Sequence, residues 1–285
     1  MRALVTGASG YIGHHLCRRL RSLEWDVAAL TRPASDLRGL DARRIDCEAT
    51  AESVRAAVAD AAPDVVFHLA AAMSGSESHL LATNVDLGLW IVRAMAEGGC
   101  RRFIDAGSFW EYAGDGSPAP RTAYARSKHV FHQELRASAE PNHCLTTLVL
   151  YDVYGPGDWR GKLIPWLMRA AMKGSEMPMT PGRQQLGMVH VDDVVTGFVL
   201  AAELSEPGYR TFALDGGERH SLREIVKLVE AACDRPIRVI WGALPYRAEQ
   251  IMEPARAGDR LSGLPGWAAS ISLREGLRLV AAAEP

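Results

Sequence analysis

A glycine-rich turn near the start of the chain limits the possible folds more than any other feature of the sequence. The segment Thr6-Gly7-Ala8-Ser9-Gly10-Tyr11-Ile12-Gly13 lies between a short apolar run and an amphipathic helical pattern. In a strand–turn–helix unit, Gly7 permits the tight turn, Gly10 lets a diphosphate approach the backbone, and Gly13 lets the helix pack closely on the strand. Because the helix N-terminus also presents free N–H groups and a positive dipole end, the motif predicts a dinucleotide site. The alternative is a purely structural turn.

Short apolar runs alternate with helical patterns through the first half of the chain. These runs are rich in β-branched residues and are bounded by turn or polar residues, so they predict buried strands. They lie at 3–6, 27–31, 65–69, 103–104 and 145–150. The alternation predicts an α/β protein with a Rossmann-type doubly wound parallel sheet.

The second half of the chain has a different texture. After Tyr154, proline and glycine interrupt the pattern, which indicates a small C-terminal α/β substrate lobe. We expect residues 1–153 plus about 186–216 to form the dinucleotide-binding Rossmann domain. Residues about 154–185 and 217–285 would then form the substrate-binding lobe.

The composition excludes several classes of function. The 285 residues include 32 Lys and Arg against 34 Asp and Glu, for a net charge of −2. Binding to nucleic acid or an acidic membrane needs a basic excess, so we expect neither partner. No apolar run approaches the ~18 residues of a membrane span, and an apolar strand already begins at Ala3, which leaves no room for a signal peptide. The five cysteines are widely spaced, so we expect a cytoplasmic protein without disulfides or a metal site.

The end of the second predicted strand bears on the choice of dinucleotide. An NAD-preferring site usually places an acid there to bind the ribose hydroxyls, whereas this chain has Thr31-Arg32. An arginine pairs well with a 2′-phosphate, so NADP(H) is favoured and NAD(H) is possible. Since arginine is abundant in this chain, Arg32 can equally be a solvated surface residue. Asp46 is either an acceptor for the adenine amino group or a loop cap.

A second motif supplies candidate acid–base chemistry. Tyr124 and Lys128 are four residues apart, which places both side chains on one helical face. With seven tyrosines and four lysines in the chain, such a pair arises by chance only about 0.1 times, although a surface Tyr/Lys pair is the alternative. A nearby ammonium lowers the pKa of a phenol, so we expect Lys128 to activate Tyr124 and to hold the nicotinamide ribose. Ser108, at the end of a strand 16 residues before Tyr124, completes a predicted catalytic set.

Together these motifs resemble the extended short-chain dehydrogenase/reductases, the epimerase/dehydratase family of nucleotide-sugar epimerases, dehydratases and reductases. Further matches are His68-Leu69-Ala70-Ala71, Asn84 opening the next helix, Tyr154-Gly155-Pro156-Gly157-Asp158, and residues 189–194. The resemblance implies a Rossmann domain, a small substrate lobe and hydride transfer at a sugar carbon. The cofactor-binding residues it implies are Gly7, Gly10, Tyr11, Ile12, Gly13, Thr31, Arg32, Asp46, Leu69, Ala70, Ala71, Tyr124 and Lys128.

Departures from the family pattern narrow the reaction. Family dehydratases carry an acid pair directly after the Ser/Thr, and here Phe109 and Trp110, which transfer no proton, take those positions. Asp152 replaces the usual asparagine before the Tyr-Gly-Pro motif, and Leu186 replaces a family arginine, which argues against the usual UDP-hexose site. The surrounding sequence is similar to a subgroup that reduces 4-keto-6-deoxyhexoses attached to CDP or dTDP.

The predicted function is therefore NADPH-dependent reduction of the 4-keto group of a CDP- or dTDP-linked 4-keto-6-deoxyhexose. The alternatives are an NAD-dependent nucleotide-sugar 4-epimerase and, from another class, a non-catalytic dinucleotide-sensing protein. The residues expected to contact the nucleotide-sugar substrate, whose cations could equally be solvated, are Phe109, Trp110, Asp152, Arg160, Lys162, Gln184 and Arg247.

By analogy with the family we expect a homodimer formed through the helices that begin near Asn84 and Tyr124. Those helices carry apolar residues such as Trp90, Val130 and Phe131, which could also belong to the monomer core. We interpret His129 and His132 as helix surface or dimer interface.

Overall fold

The central element of the fold is a parallel β-sheet. The computed structural model describes residues 1–258 and 260–283, and within these residues seven strands form that sheet. From one edge to the other they are β3 (Arg43–Asp46), β2 (Asp26–Thr31), β1 (Arg2–Thr6), β4 (Val65–His68), β5 (Arg102–Ser108), β6 (Cys144–Leu150) and β11 (Gly208–Leu214). All neighbours pair in parallel, and the direction of strand progression reverses between β1 and β4, which confirms the doubly wound prediction.

Helices pack against both faces of the sheet. The first face is covered by α1 and α7, and the second by α2, α4 and α5. Their bounds, with those of the remaining helices, are α1 (Tyr11–Ser22), α2 (Ala51–Ala61), α3 (Glu77–Leu81), α4 (Leu87–Glu97), α5 (Ala123–Ala137), α6 (Leu163–Lys173), α7 (Val191–Ala201), α8 (Leu222–Cys233) and α9 (Leu273–Ala283).

Short strand pairs and three helices build the C-terminal part of the fold. The pairs are β7 (Asp152–Tyr154) with β10 (Met188–His190), β8 (Glu176–Met179) with β13 (Arg238–Trp241), and β9 (Gln185–Leu186) with β12 (His220–Ser221). Helices α6, α8 and α9 enclose an apolar cluster that includes Leu167, Ile225 and Leu277, each fully buried. This cluster lies where the sequence predicts a separate lobe; the residue boundaries of that lobe stay a prediction.

Some apolar residues of the helices expected at a dimer interface are buried in the core of the monomer. Phe131 is fully buried in the core, whereas Val130 is 37% exposed. Asn84 does not open a helix as expected, but lies in a π-helical turn, Ala82–Asp86, between α3 and α4. Its side chain bonds to both backbone polar atoms of Ala72 and donates to the Ser127 hydroxyl at 2.9 Å. Asn84 thereby ties the segment after β4 to α5.

In the part of the chain that the structure describes, none of the helices combines the length and apolar character needed to cross a bilayer.

Candidate active site

The glycine-rich turn forms a close cradle at the carboxyl end of β1. Gly7 has φ +70°, and a Cβ added there would lie 2.7 Å from the Ala70 amide nitrogen. A Cβ on Gly13 would run into the carbonyl oxygen of Gly7, so helix α1 can approach the turn only because residue 13 is glycine. Gly10 is the N-cap residue of α1 and has no side chain to bond the first-turn amides. The cradle therefore fits the diphosphate of a dinucleotide.

A cavity of about 340 Å³ extends from this cradle along the carboxyl edge of the sheet. Its wall includes Gly10 and Ile12 from the cradle, Leu69 and Ala71 after β4, and Ser108, Tyr124 and Asp152 from the opposite side. The fold thus brings the glycine turn at Thr6–Gly13 and the Ser108/Tyr124 pair, which are far apart in the sequence, to one cavity.

Ser108 lies at the point where β5 ends and a single 3₁₀ turn, Phe109–Glu111, begins. Its hydroxyl accepts a hydrogen bond from the Trp110 amide at 3.3 Å, and its own amide donates to the Glu111 carboxylate at 2.9 Å. This reciprocal capping box fixes the backbone of Ser108. The Ser108 side chain also hydrogen-bonds the phenol of Tyr124.

The pKa of Tyr124 is raised to about 12, which differs from the lowering expected from the sequence. Burial is the largest cause, and the negative charges of Glu111 and Asp105 add to it, while the hydrogen bond from Ser108 opposes the shift. The Lys128 ammonium lies 3.6 Å from Asp105 Oδ2 and is therefore engaged by a carboxylate that the sequence did not reveal. At neutral pH Tyr124 keeps its proton.

Beside Lys128 lies a chain of buried polar residues that sequence reasoning missed. His132 was expected on a helix surface, but it is only 6% exposed and lies between Asp105 and Glu111. The expectation was wrong because both carboxylates come from other elements, β5 and the 3₁₀ turn, more than 20 residues away in the sequence. The sequence contained one indication of this arrangement. His132 follows Lys128 by four residues and therefore lies on the same face of α5.

The Asp46 carboxylate, which lies beside the end of β2, already accepts hydrogen bonds from neighbouring side chains. Thr31 Oγ1 donates to Asp46 Oδ1 at 3.2 Å, and Arg44 Nε lies 2.7 Å from the same oxygen. The Arg44 guanidinium also donates to the carbonyl oxygens of Arg32 and Pro33. The Arg32 side chain is exposed, at the point where an adenosine ribose would lie if a dinucleotide occupied the cradle.

The predicted substrate contacts divide into two groups. Those that line the cavity are Phe109, Trp110, Asp152, Arg160 and Lys162. Gln184 and Arg247 lie elsewhere: Gln184 is buried and bonded by Thr180, and Arg247 is exposed to solvent. The structure therefore brings together the candidates from the 3₁₀ turn after β5 and from the segment between β6 and α6, and not those from the later loops.

Two of the cavity-lining candidates already have strong interactions. Arg160 makes a bidentate ion pair with Asp158, at 2.7 and 2.8 Å, and its guanidinium carbon lies 4.4 Å from the centre of the Tyr11 ring. Asp152 is half-buried, and its desolvation raises its pKa to about 6, although the positive charges of Lys162 and Arg219 oppose that rise. Lys162 is thus the more available cation for a substrate phosphate.

Comparison with known proteins identifies the family. The family model described as "NAD dependent epimerase/dehydratase family" matches residues 3–214. The chain belongs to this family.

Individual relatives and solved structures extend this result. "CDP-abequose synthase" of Yersinia pseudotuberculosis is 26% identical over 261 residues, covering 89% of this chain and 92% of that protein. "dTDP-4-dehydro-6-deoxy-D-allose reductase" of Streptomyces bikiniensis is 29% identical over 276 residues, covering 83% and 82%. The solved structure "MoeE5 in complex with UDP-glucuronic acid and NAD" has a TM-score of 0.85 at 26% identity, covering 99% of this chain and 98% of MoeE5.

Membership of the epimerase/dehydratase family confirms the resemblance derived from the motifs and the prediction of an oxidoreductase-type enzyme. The family is NAD(P)-dependent, which agrees with the fit of a dinucleotide diphosphate to the glycine cradle.

The close packing of Gly13 on Gly7 in the cradle leads to a testable prediction for this member of the epimerase/dehydratase family. We expect Gly13→Ala to lower the free energy of unfolding by about 1–3 kcal/mol, because the added methyl group forces α1 away from the Gly7 carbonyl. NADPH binding should weaken in parallel, since the same shift displaces the first-turn amides. Urea unfolding and fluorescence titration with NADPH measure the two effects.

Gly98→Ala is the matched control for that variant, because a Cβ at Gly98 has its nearest neighbours at an ordinary 3.6 Å and lies far from the cavity. Wild-type NADPH affinity in a folded Gly13→Ala protein would contradict the assignment of the cradle.

Proposed function

We propose that this protein reduces the 4-keto group of a nucleotide-linked 4-keto-6-deoxyhexose with NADPH, the sugar being attached to CDP or dTDP. The observation that carries the proposal is that the fold places Ser108 and Tyr124 in the wall of the cavity that begins at the glycine cradle, where burial raises the pKa of Tyr124 to about 12 and keeps its phenol protonated. A ketone reductase needs a proton donor when the reaction begins. Arg32 follows β2 where an NAD-preferring site carries an acid, and this favours a consumed NADPH over the retained NAD of a 4-epimerase.

The residues around the cavity have complementary roles in this reaction. NADPH, when bound, supplies the hydride. Tyr124 gives its phenolic proton to the developing alkoxide, and the Ser108 hydroxyl donates a hydrogen bond to the same oxygen. Lys128 holds the nicotinamide ribose and stabilises the phenolate that remains on Tyr124 after proton transfer. Phe109 and Trp110 line the wall next to the sugar site and exclude water from it.

The nucleotide part of the substrate needs a positive charge for its diphosphate. Lys162 lines the cavity, and among the residues that the structure describes no carboxylate lies within hydrogen-bond distance of its ammonium. Arg160 has a structural part in this site: its ion pair with Asp158 and its contact with the Tyr11 ring hold the loop after β7 in place. The names of the Yersinia and Streptomyces relatives, which refer to a CDP-linked and a dTDP-linked sugar, support a nucleotide-linked deoxysugar as substrate.

An assay with a defined panel of substrates tests the proposed reaction. NADPH and NADH consumption is measured with CDP-, dTDP- and GDP-linked 4-keto-6-deoxyhexoses, and the C4 configuration of the product is read by NMR. We expect stoichiometric oxidation of NADPH with the CDP or dTDP substrate. A purified protein that retains NAD and interconverts C4 epimers without added reductant would establish the epimerase instead. Binding of NADPH without turnover of any keto-sugar would favour a sensing protein.

Arg32 carries the proposed preference for NADPH. We expect Arg32→Asp to reduce the ratio of kcat/KM for NADPH to that for NADH by about 100-fold, because a carboxylate repels the 2′-phosphate and accepts hydrogen bonds from the ribose hydroxyls. Arg55→Asp, on the exposed side of α2, is a control that makes the same charge change away from the cofactor site. An unchanged ratio in Arg32→Asp would assign Arg32 to the solvated surface.

A further inference from the structure

A group of buried ionisable side chains lies directly behind the Ser108/Tyr124 pair. Asp105 and Glu111 have no exposed surface, Lys128 is 2% exposed, and His132 is 6% exposed. We call these residues the buried ion cluster. They come from β5, the 3₁₀ turn and α5; β5 also carries Ser108, and α5 also carries Tyr124. A change in the cluster is therefore transmitted to the proposed catalytic residues over one or two contacts.

His132 is the centre of the buried ion cluster. Its Nδ1 lies 2.7 Å from Glu111 Oε2, and its Nε2 lies 3.0 Å from Asp105 Oδ2. An ionised carboxylate only accepts hydrogen bonds, so both ring nitrogens must donate, and this requires the imidazolium form. The pair of carboxylates thereby fixes both the charge and the orientation of the ring.

Each carboxylate that contacts His132 also makes a second interaction. Glu111 uses its other oxygen, Oε1, to accept the backbone amide of Ser108 at 2.9 Å. Asp105 Oδ2 also faces the Lys128 ammonium at 3.6 Å, and Asp105 Oδ1 accepts from Thr147 Oγ1 at 2.6 Å. Glu111 thus connects His132 to Ser108, and Asp105 connects it to Lys128.

The charges of the cluster balance only when His132 is protonated. Burial disfavours the imidazolium, but Glu111 and Asp105 outweigh burial and raise the pKa of His132 to about 9. Burial likewise raises the pKa of Asp105, and here His132 and Lys128 outweigh it and hold the value at about 2. With His132 neutral, two buried carboxylates would share the single charge of Lys128.

Solvent has access to His132 from the side away from the glycine cradle. His132 borders a second cavity of about 570 Å³ between α5, β11 and the segment around Tyr112. Its ring also packs on the backbone of β5, because a Cβ added to Gly107 would lie 3.2 Å from His132 Cε1. The titratable and charged groups that face His132 or share this cavity are Asp105, Glu111, Lys128, His68, His129, Tyr112, Arg136, Tyr209 and Arg260.

Hydrogen bonds and an ion pair hold the cluster together. Among the residues that the structure describes, no group of three or more His, Cys, Asp and Glu side chains has an arrangement that could hold a metal ion.

We propose that His132 is a positioning residue of the reaction: as an imidazolium it fixes Glu111 beneath Ser108 and Asp105 beside Lys128, and its deprotonation lowers turnover. This inference rests on the proposed reduction. Loss of the imidazolium charge lets the two carboxylates repel each other. The backbone of Ser108 and the ammonium of Lys128 then lose their fixed positions.

Single and double variants separate this role from simple packing. We expect His132→Gln to lower kcat by about 10- to 100-fold with a much smaller change in the KM for the sugar, because a misplacement of 1 Å in a catalytic group costs about that much. Glu111→Gln combined with His132→Gln restores the charge balance and can keep the bonds from Ser108 to Asp105, so it should recover most of the loss. His129→Gln is the control, since His129 lies on the same helix and bonds only Gln133 among the contacts described.

The pH dependence supplies a readout that a packing role would not affect. We expect kcat of the wild-type enzyme to fall as the pH rises through about 9, and this alkaline limb to be absent from the double variant, which has no titrating group at positions 111 and 132. The same alkaline limb in both enzymes would overturn the proposal. So would a double variant that is no more active than His132→Gln.

NMR of the wild-type protein with labelled histidine tests the charge of His132 without any substrate or variant enzyme activity. We expect the ¹⁵N shifts of an imidazolium at pH 7 and of a neutral ring above about pH 9. A neutral His132 at pH 7 would overturn the proposal even if the reductase assay succeeds. If no keto-sugar is reduced, the proposed function fails, whereas the NMR titration still decides whether His132 is an imidazolium held between Glu111 and Asp105.

Discussion

Replacement of Tyr124 by phenylalanine is expected to lower kcat for ketone reduction by about 100- to 10,000-fold, the usual contribution of a positioned general acid. The variant removes one oxygen from a half-buried side chain and keeps the ring, so the fold and NADPH binding should be nearly unchanged. The remaining activity would come from hydride transfer with the alkoxide protonated by water. Stopped-flow measurement of NADPH oxidation at saturating substrate isolates this step from binding.

Tyr112→Phe is the matched control for Tyr124→Phe. Tyr112 is another partly buried tyrosine beside Glu111, and burial raises its pKa as well, but it lines the cavities away from the glycine cradle. We expect its removal to leave kcat within about twofold of wild type, in the range of a substitution that touches no reacting group. A Tyr124→Phe enzyme that reduces the sugar at the normal rate would refute the assignment of Tyr124 as the acid, whatever the control shows.

The parts of the fold that the sequence predicts are those that local pattern determines. The runs at 27–31 and 145–150 correspond to β2 and β6 with a shift of one residue at their starts, because an apolar run bounded by polar residues marks a buried strand directly. Strand β11 was not predicted. Its residues Tyr209, Arg210 and Thr211 are half-buried at the sheet edge, so the segment lacks the apolar run that identifies a central strand.

The candidate site likewise contains features that local sequence predicts and features that depend on packing. The glycine cradle and the Tyr124/Lys128 pair were found because their geometry depends on short spacings within one turn or one helix. The raised pKa of Tyr124 could not be predicted, because burial, its largest cause, and the charges of Glu111 and Asp105 all depend on the packing of β5 and the 3₁₀ turn on α5. A rule that considers only the neighbouring lysine therefore gives the wrong direction for the pKa shift.

Removal of the Arg219 side chain is the substitution expected to cost the most stability. Arg219 and Asp215 are each about 3% exposed and form a bidentate pair at 2.7 and 3.0 Å. The same guanidinium donates to the Ala255 carbonyl at 2.8 Å and lies 5.0 Å from the ring centre of Tyr151, which borders the cavity. Arg219→Met leaves the Asp215 charge buried without its partner, so we expect a loss of about 3–5 kcal/mol in the free energy of unfolding at pH 7.

A solvent-exposed ion pair elsewhere in the protein provides the control for this substitution. Arg210 and Glu206 form a pair with the same spacing and a 2.7 Å contact, but the Glu206 side chain is 81% exposed. Arg210→Met should therefore cost no more than about 1 kcal/mol. Combining Arg219→Met with Asp215→Asn should recover part of the loss, because it removes the uncompensated charge and keeps an acceptor for one of the two amides that Asp215 bonds, those of Gly217 and Ala257.

The pH dependence of the loss identifies its cause. Burial alone would raise the pKa of Asp215, but the bonds from Arg219 and from the Ala257 and Gly217 amides outweigh it and lower the pKa in the wild-type protein. The wild type therefore loses stability from this group as the pH falls below the ordinary range of a carboxyl. In Arg219→Met the lowering influence of the guanidinium is gone and Asp215 can take up a proton, so the difference between the two proteins should shrink as the pH falls from 7 to 4. Urea unfolding across that range measures the trend, and a difference independent of pH would assign the loss to packing on Tyr151 instead.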